Sequence, residues 1–344
     1  MRATVSTAAD ERPETTRTTV AKPQRAAAAR ERVASVAARV GILLALVLLI
    51  IASAAISPHF LGVGNLLNVA RQVALVGIVG VGMTFVILTA GIDLSVGSIV
   101  GVVAVITAQL LLDGTAVPLV VLIALLIGAA AGAVNGLGIV AGGVPPFIMT
   151  LGGLVMGRGL AMTLANGQPV NTGSAAASFA WLGTGTMLGV PVPVWVFVAV
   201  TICAGVVLRM TAFGRAVYAV GDSREAARLS GINVGLVELG VYVISGVLAA
   251  LTALIFVSRL TVGAPTDGTG LELLAIAIVV IGGTSLFGGE GGVWGTVIGA
   301  GIIAVLANLM NLMGISPFSQ QMVQGAIVVA AVLLERLQHR GRKS

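Results

Sequence analysis

Along most of the chain, apolar runs of about twenty residues alternate with short breaks rich in Gly, Pro and charge, the pattern of helices that cross a bilayer. The runs lie at 40–56, 68–89, 99–112, 118–140, 147–164, 194–208, 236–257, 271–281, 293–312 and 318–334. The run at 271–281 is short. Together they predict an all-α, polytopic membrane protein with about ten transmembrane helices. The breaks are Ser57-Pro58-His59, GIDLSVGS at 91–98, Asp113-Gly114, GGVPP at 142–146, a Gly/Ser/Ala/Pro loop at 166–193, a polar loop at 209–235, a loop at 261–270 and GGTSLFGGEGG at 282–292. The 166–193 loop has room for a re-entrant piece.

The loop at 209–235 is the only long polar interruption. It sets Arg209, Arg215, Arg224 and Arg228 against Asp222 and Glu225. Asp222 or Ser223 suits a helix N-cap, and Glu225 follows Asp222 by three residues, the spacing of a capping box. The run EAARL at 225–229 propagates a helix, and Gly231 supplies a left-handed stop. Ala226 and Ala227 give this helix of about two turns a small-residue surface, with Arg224 expected on the outer face. A helix so short needs packing to persist. One reading is a docking helix for a separate ATP-hydrolysing subunit. The other is a loop made basic only to fix topology.

Composition narrows the class. Of 344 residues, 57% are hydrophobic and 9% charged, where a soluble domain carries about 25% charge. Mean hydropathy is +1.08. The 47 glycines suit tightly packed membrane helices. A net charge of +6 could suggest nucleic acid, but the excess sits in the tails and one loop, where anionic lipid and topology account for it. The tail 1–39 reads as solvated and disordered, the transmembrane domain as 40–337 and the C-terminal tail as 338–344. An even number of spans puts both tails and the 209–235 loop on one side, together with every Lys and Arg except Arg71, Arg158 and Arg259. That side is then the cytoplasm. Cys203 is the single cysteine, so an intrachain disulfide is excluded.

No catalytic or metal-binding constellation is visible. His59 and His339 fall near opposite faces, and the two lysines, Lys22 and Lys343, lie in no Gly-rich loop, so there is no Walker A pattern. A chain of this kind that uses ATP needs another chain to bind it, and no cofactor is expected here. Asp93 in GIDLSVGS reads as a cap on the third span, with Ser95 helping, because an ionised Asp at the bilayer centre costs about 2.5–3.5 kcal/mol. The alternative is a contact with the motor subunit or a gate. Arg158 is the one arginine deep inside an expected span, Arg71 lying at the start of another; Arg158 lines a polar path, forms an ion pair or snorkels. Asn166 and Gln168, followed by Asn171, read either as turn chemistry or as amides at a pore mouth. The 282–295 stretch with Glu290 lacks the basic residue of a phosphate loop and reads as a packing turn and hinge at the cytoplasmic face. Trp195 and Trp294 suit interfacial anchoring.

Four separated motifs resemble the membrane permeases of ribose-type sugar ABC importers. They are LTAGIDLSVGS at 88–98; VPPFIMTLGGL at 144–154 with RGL at 158–160 and NGQPV at 166–170; Gly214 followed by RAVYAVGDSREAARLSGI at 215–232; and GGTSLFGGEGGVWGTVIGA at 282–300. The resemblance covers most of 65–337. It implies an ABC importer permease fold in the cytoplasmic membrane. It also implies two permease subunits, expected as a homodimer, two ATP-binding cassette subunits, and an extracytoplasmic sugar-binding protein that delivers the substrate. The coupling helix would be 222–231, with Gly214, Arg215, Asp222, Glu225, Ala226, Ala227, Arg228 and Gly231 as its contact set. Asp93, Ser95, Arg158, Asn166 and Gln168 are the candidates for the path or gate. Nucleoside and branched-chain amino-acid permeases share the general design. An ion-coupled secondary transporter would need polar ion ligands near the midplane, whereas the expected membrane charges other than Arg158 sit at span ends. A structural or receptor membrane protein would need no docking helix.

Overall fold

The computed structural model describes residues 40–173 and 179–343. The expected N-terminal tail, 1–39, lies outside the described residues, as does Ser344; the rest of the expected C-terminal tail, 338–343, continues the last helix. Each expected apolar run carries a helix: α1 (Val40–Ile56), α2 (Val63–Leu88), α3 (Val96–Leu112), α4 (Val117–Val140) and α5 (Pro146–Leu164) come first. The short α6 (Trp181–Thr184) stands in the 166–193 loop, followed by α7 (Val192–Met210). The polar loop holds two helices, α8 (Ala212–Asp222) and α9 (Arg224–Leu229). Then come α10 (Val234–Leu260), α11 (Leu271–Ile281), α12 (Val293–Leu312) and α13 (Pro317–Lys343), the last running well past the expected end of its span. Two-residue strand pairs tie Val170–Asn171 to Val262–Gly263 and Thr186–Met187 to Val190–Pro191.

Among the described residues, six helices are long and apolar enough to cross a membrane: α2, α4, α5, α7, α10 and α12. α1, α3 and α11 are apolar but shorter. The protein is thus an all-α polytopic membrane protein in which some of the expected spans are not full-length crossings. α2 is the hub. Its second half, residues 74–88, has no charged or amide side chain and is buried without exception, as expected of a helix segment with no polar face. α10, α12, α7 and α11 pack around it, and α10 in turn packs on α4 and α3. Glycine sets how closely these helices approach. A Cβ on Gly128 of α4 would overlap the carbonyl of Gly246, and one on Gly132 would overlap that of Tyr242. Bare backbone against backbone is how membrane helices gain contact without a hydrophobic driving force.

The two short helices mark two places where the chain breaks inside the bundle. After Leu88 the segment 89–95 turns back along α2. Ser245, which binds Asp93, lies against Gly82, six residues before the end of α2, or about 9 Å inside it. There Asp93 Oδ1 accepts from Ser95 N–H at 3.0 Å and Ser95 Oγ–H at 2.6 Å, and its Oδ2 accepts from Ser245 Oγ–H at 2.7 Å. Asn135 of α4 donates to Ser95 Oγ at 2.7 Å, and Thr150 of α5 donates to Ile92 O at 3.2 Å. The N-cap position of α3 is Ser95, not Asp93 as expected, with no side-chain cap hydrogen bond, and Asp93 accepts from the amide of Ser95 itself. Asp93 is fully buried, joined to α4, α5 and α10 through this network, and out of reach of another subunit. The second break is 261–270, expected as a plain loop. It runs along α3 instead, with Gly263 against Ala104 and Gly268 against Gly97, before α11 completes the path.

The Asp93 network sets a testable limit. Asp93→Asn keeps an acceptor for Ser95 and offers an amide that Ser245 can accept, so its membrane level and melting temperature in detergent should stay near wild type. Asp93→Leu leaves Ser95 and Ser245 without an acceptor, a cost of about 1–3 kcal/mol for each buried group, and should lower both. A Leu variant that melts like wild type contradicts this role. A stable Asn variant without transport would assign a function to the charge.

Candidate functional site

One end of the bundle carries α8 and α9. α8 begins at Thr211, whose Oγ1 accepts from Gly214 N–H at 3.1 Å. Gly214, Val217 and Val220 form its buried side. A Cβ on Gly214 would overlap the end of α7, and one on Gly221 would overlap Leu88 O. Gly214 therefore serves close packing, while Arg215 points outward and is exposed. The 282–292 turn closes the same end: Gly289 N–H donates to Leu88 O at 3.0 Å, and Tyr218 Oη–H to Gly291 O at 3.1 Å. The expected packing turn is thus a plate joining α2, α8 and α12.

α9 starts and stops as the sequence suggests, with one change of residue. Ser223 is the cap, accepting from Ala226 N–H at 3.2 Å. Asp222 is the last residue of α8, so Glu225 stands two residues after the cap and the capping box is absent. At the other end Gly231, at φ 81°, allows Ile232 N–H to reach Ala227 O at 3.0 Å and Gly231 N–H to reach Arg228 O at 3.0 Å, a Schellman stop. Asn233 then caps α10 through Leu236 N–H at 3.1 Å.

The expected small-residue surface divides. Ala226 is exposed, whereas Ala227 is buried in its own chain among Val217, Val220, Val234 and Val237. Arg224, expected on the outer face, reaches inward to Glu238 of α10, with Nη2 and Oε1 2.5 Å apart, and the carboxylate side of this pair is almost wholly buried. The outward face of α9 consists of Glu225, Ala226, Arg228 and Leu229, and Leu229 is 80% exposed. A short helix pinned by a buried alanine, an ion pair and a cap at each end cannot pivot independently of α8 and α10. It presents the exposed Leu229 beside the charges of Glu225 and Arg228.

The candidates for a path fall elsewhere and do not converge. Asp93 and Ser95 are in the buried network. Arg158 Nη1 donates to the carbonyls of Pro265 and Asp267, the latter at 3.1 Å, and so ties 261–270 to α5. Asp267 Oδ2 accepts from Ala264 N–H at 2.9 Å, and Glu272 Oε1 from Gly270 N–H at 3.2 Å. Both carboxylates attract Arg158. The arginine's contacts are those of a structural tie, and its two acidic partners were missed in the sequence. Asn166, at φ 49°, and Gln168 belong to an exposed turn that ends α5, which accounts for both as turn chemistry.

A second polar feature was also missed. An open-sided pocket of about 560 Å³ lies between α2, α10 and α12, lined by Asn65, Asn68 and Gln72 of α2, Asn308 and Asn311 of α12, and Phe256 and Arg259 of α10, with Leu75, Val76 and Leu312; Asn68, Arg259 and Asn311 are exposed at its rim. The signal was present as spacing. Residues 65, 68 and 72 repeat at i, i+3, i+7, and 308 and 311 at i, i+3, each set on one helix face.

Comparison with known proteins follows the same outline. The family model described as branched-chain amino acid transport system / permease component matches residues 65–332. The ribose import permease protein RbsC of Escherichia coli K12 is 45% identical over 295 residues, covering 85% of this chain and 92% of that protein. RbsC of Bacillus subtilis 168 is 42% identical over 298 residues, covering 87% and 92%. The xylose transport system permease protein XylH of E. coli K12 is 36% identical, covering 80% and 86%. No solved structure matches the chain. A match over most of the length, on a bundle with a short capped helix at one end, leads to one statement: the chain belongs to the branched-chain amino acid transport system / permease component family.

Proposed function

We propose that this chain is the permease subunit of an ATP-binding-cassette importer, that its substrate is a monosaccharide of the ribose type, and that α9 is the element through which a separate ATP-binding subunit moves it. The observation that carries the coupling part is the geometry of α9: Ala227 inward, Arg224 paired with Glu238, and Leu229 outward. Force applied to Leu229 passes to α8 and α10, and through Gly221 to the end of α2. The sugar part is supported by relatives named for ribose and xylose. The family description names branched-chain amino acids, which keeps an amino-acid substrate as the second reading. Competition of labelled ribose uptake by leucine separates the two.

The proposal includes orientation. The basic tails and the 209–235 loop face the cytoplasm, a sugar-binding protein docks at the opposite end, and a second copy of this chain completes the path. Alternating access then follows from two states biased by ATP binding to the partner. No cofactor is proposed for this chain.

Two substitutions separate the inner and outer faces of α9. Leu229→Asp should leave the permease folded and at normal level in the membrane. Burying a leucine is worth about 1.5–3 kcal/mol, so ATP-binding-subunit association should weaken by about tenfold or more, and stimulated ATP hydrolysis in vesicles should fall with it. Ala227→Arg places a charge in the chain's own core and should instead lower the amount of folded permease. An intact complex and intact stimulated hydrolysis with Leu229→Asp would refute the assignment. For orientation, Ser223→Cys in a Cys203→Ser background should react with an impermeant thiol reagent only from the cytoplasmic side; labelling from outside intact cells would reverse it.

A further inference from the structure

We infer that the amide-lined cavity between α2, α10 and α12 is a monosaccharide-binding subsite within the permease subunit itself. The inference rests on the sugar reading above and adds a place where the sugar is held.

Its position follows from the length of α11. Eleven residues make about 16 Å of helix, roughly half of a hydrocarbon core of about 30 Å. α11 packs on α2 and α12 through Ile278, which meets Val76, Ala300 and Ile303, with Leu271 at its first turn. Beyond that level, toward the start of α2, α11 no longer fills the space between its neighbours. The cavity lies there, with Leu75 and Val76 at its inner end and Gln72, Asn68 and Asn65 on successive turns outward. Short or interrupted helices are where transporters place substrate. A volume of about 560 Å³ falls within the range of small-molecule sites.

The lining chemistry selects the ligand class. Five carboxamides face the cavity and no carboxylate does. Each carboxamide donates and accepts, as each sugar hydroxyl does, so the two sets satisfy each other without net charge. An amino acid's ammonium group meets no carboxylate in this lining, while Arg259 offers a counter-charge to its carboxylate, so the leucine arm of the test below is what separates the two classes. Phe256 offers an apolar face for the C–H side of a sugar ring, and Arg259 adds donors. Not every amide is available. Asn65 and Asn308 exchange hydrogen bonds at 2.9 and 2.7 Å, clasping α2 to α12, and Asn65 Nδ2 also donates to Phe60 O at 2.8 Å. Asn311 Oδ1 accepts from Gln320 at 2.7 Å. Asn68 Oδ1 accepts from Arg71 at 3.0 Å, which leaves its amide N–H groups, and among the described residues no side-chain hydrogen bond engages Gln72. Asn68 and Gln72, with Arg259, are the ligand-facing set; Asn65 and Asn308 are the clasp.

The test uses the full permease with its ATP-binding subunits. In a Cys203→Ser background, Gln72→Cys is treated with a small thiol reagent in the presence of D-ribose, D-xylose or L-leucine. Either pentose should slow modification by more than half, and leucine should not. In vesicles supplied with binding protein and ATP, Asn68→Leu and Gln72→Leu should reach the membrane at normal level yet lose about tenfold in pentose uptake, the scale of a lost hydrogen bond. Asn65→Leu, which cuts the clasp, should lower the melting temperature instead. Unchanged modification rates, or wild-type uptake in both Leu variants, would overturn the subsite while leaving the sugar permease reading intact. Wild-type vesicles that take up leucine and no pentose would overturn the sugar reading, and the subsite with it.

Discussion

Irregular backbone buried in a membrane protein needs partners that lipid cannot supply. The segments 89–95 and 261–270 both run back along packed helices, and much of the polar chemistry of the described residues answers that constraint. At the first break Asp93, Ser95, Ser245, Asn135 and Thr150 supply the partners. At the second, Arg158 binds the carbonyls of Pro265 and Asp267, and the short Val170–Asn171 pairing holds Val262–Gly263. Most of the polar side chains in the interior are therefore accounted for by structure before any transport role is assigned. The amides facing the 560 Å³ pocket use only part of their hydrogen-bonding capacity in the fold.

The same breaks arrange the moving parts. α2 carries the load at the centre, and its end at Leu88 meets both Gly221 of α8 and Gly289 of the 282–292 turn. α9 is joined to this end through Ser223 and to α10 through Arg224 and Glu238. α10 in turn lies on α4 by glycine contacts and holds Asp93 through Ser245. Under the proposed coupling role, a displacement of α9 is carried into the helices around the buried network and the pocket. Packed interiors of this kind shift between discrete arrangements rather than deforming continuously, which is what a two-state pore requires.

Much of this was legible in the sequence, and the gaps have physical causes. Apolar runs and their Gly/Pro breaks located every long helix, because lipid leaves few alternatives to a helix. Ser223 and Gly231 fixed the ends of α9, since capping is local chemistry. Its inward face was not legible: six residues are too few to show a helical period, so Ala226 and Ala227 looked alike. α8 was missed because residues 212–221 mix Ala and Arg with glycine, valine and aromatic residues of lower helix propensity, and its stability comes from burying Val217 and Val220. The partners of Arg158 lie 107 and 109 residues away, a relation that no local pattern reveals. The cavity amides did carry a local pattern, but 65 and 68 fell at the uncertain start of a span, and the pair at 308 and 311 looked like isolated polar residues in an apolar run.

The most direct measurement of the central claim is pentose uptake into vesicles that contain the purified permease with its ATP-binding subunits and the external binding protein, each component omitted in turn. The account predicts accumulation that requires ATP on the side of α9, requires both partner proteins, and is indifferent to an imposed proton or sodium gradient. Uptake by the permease alone, driven by an ion gradient without ATP, would contradict it.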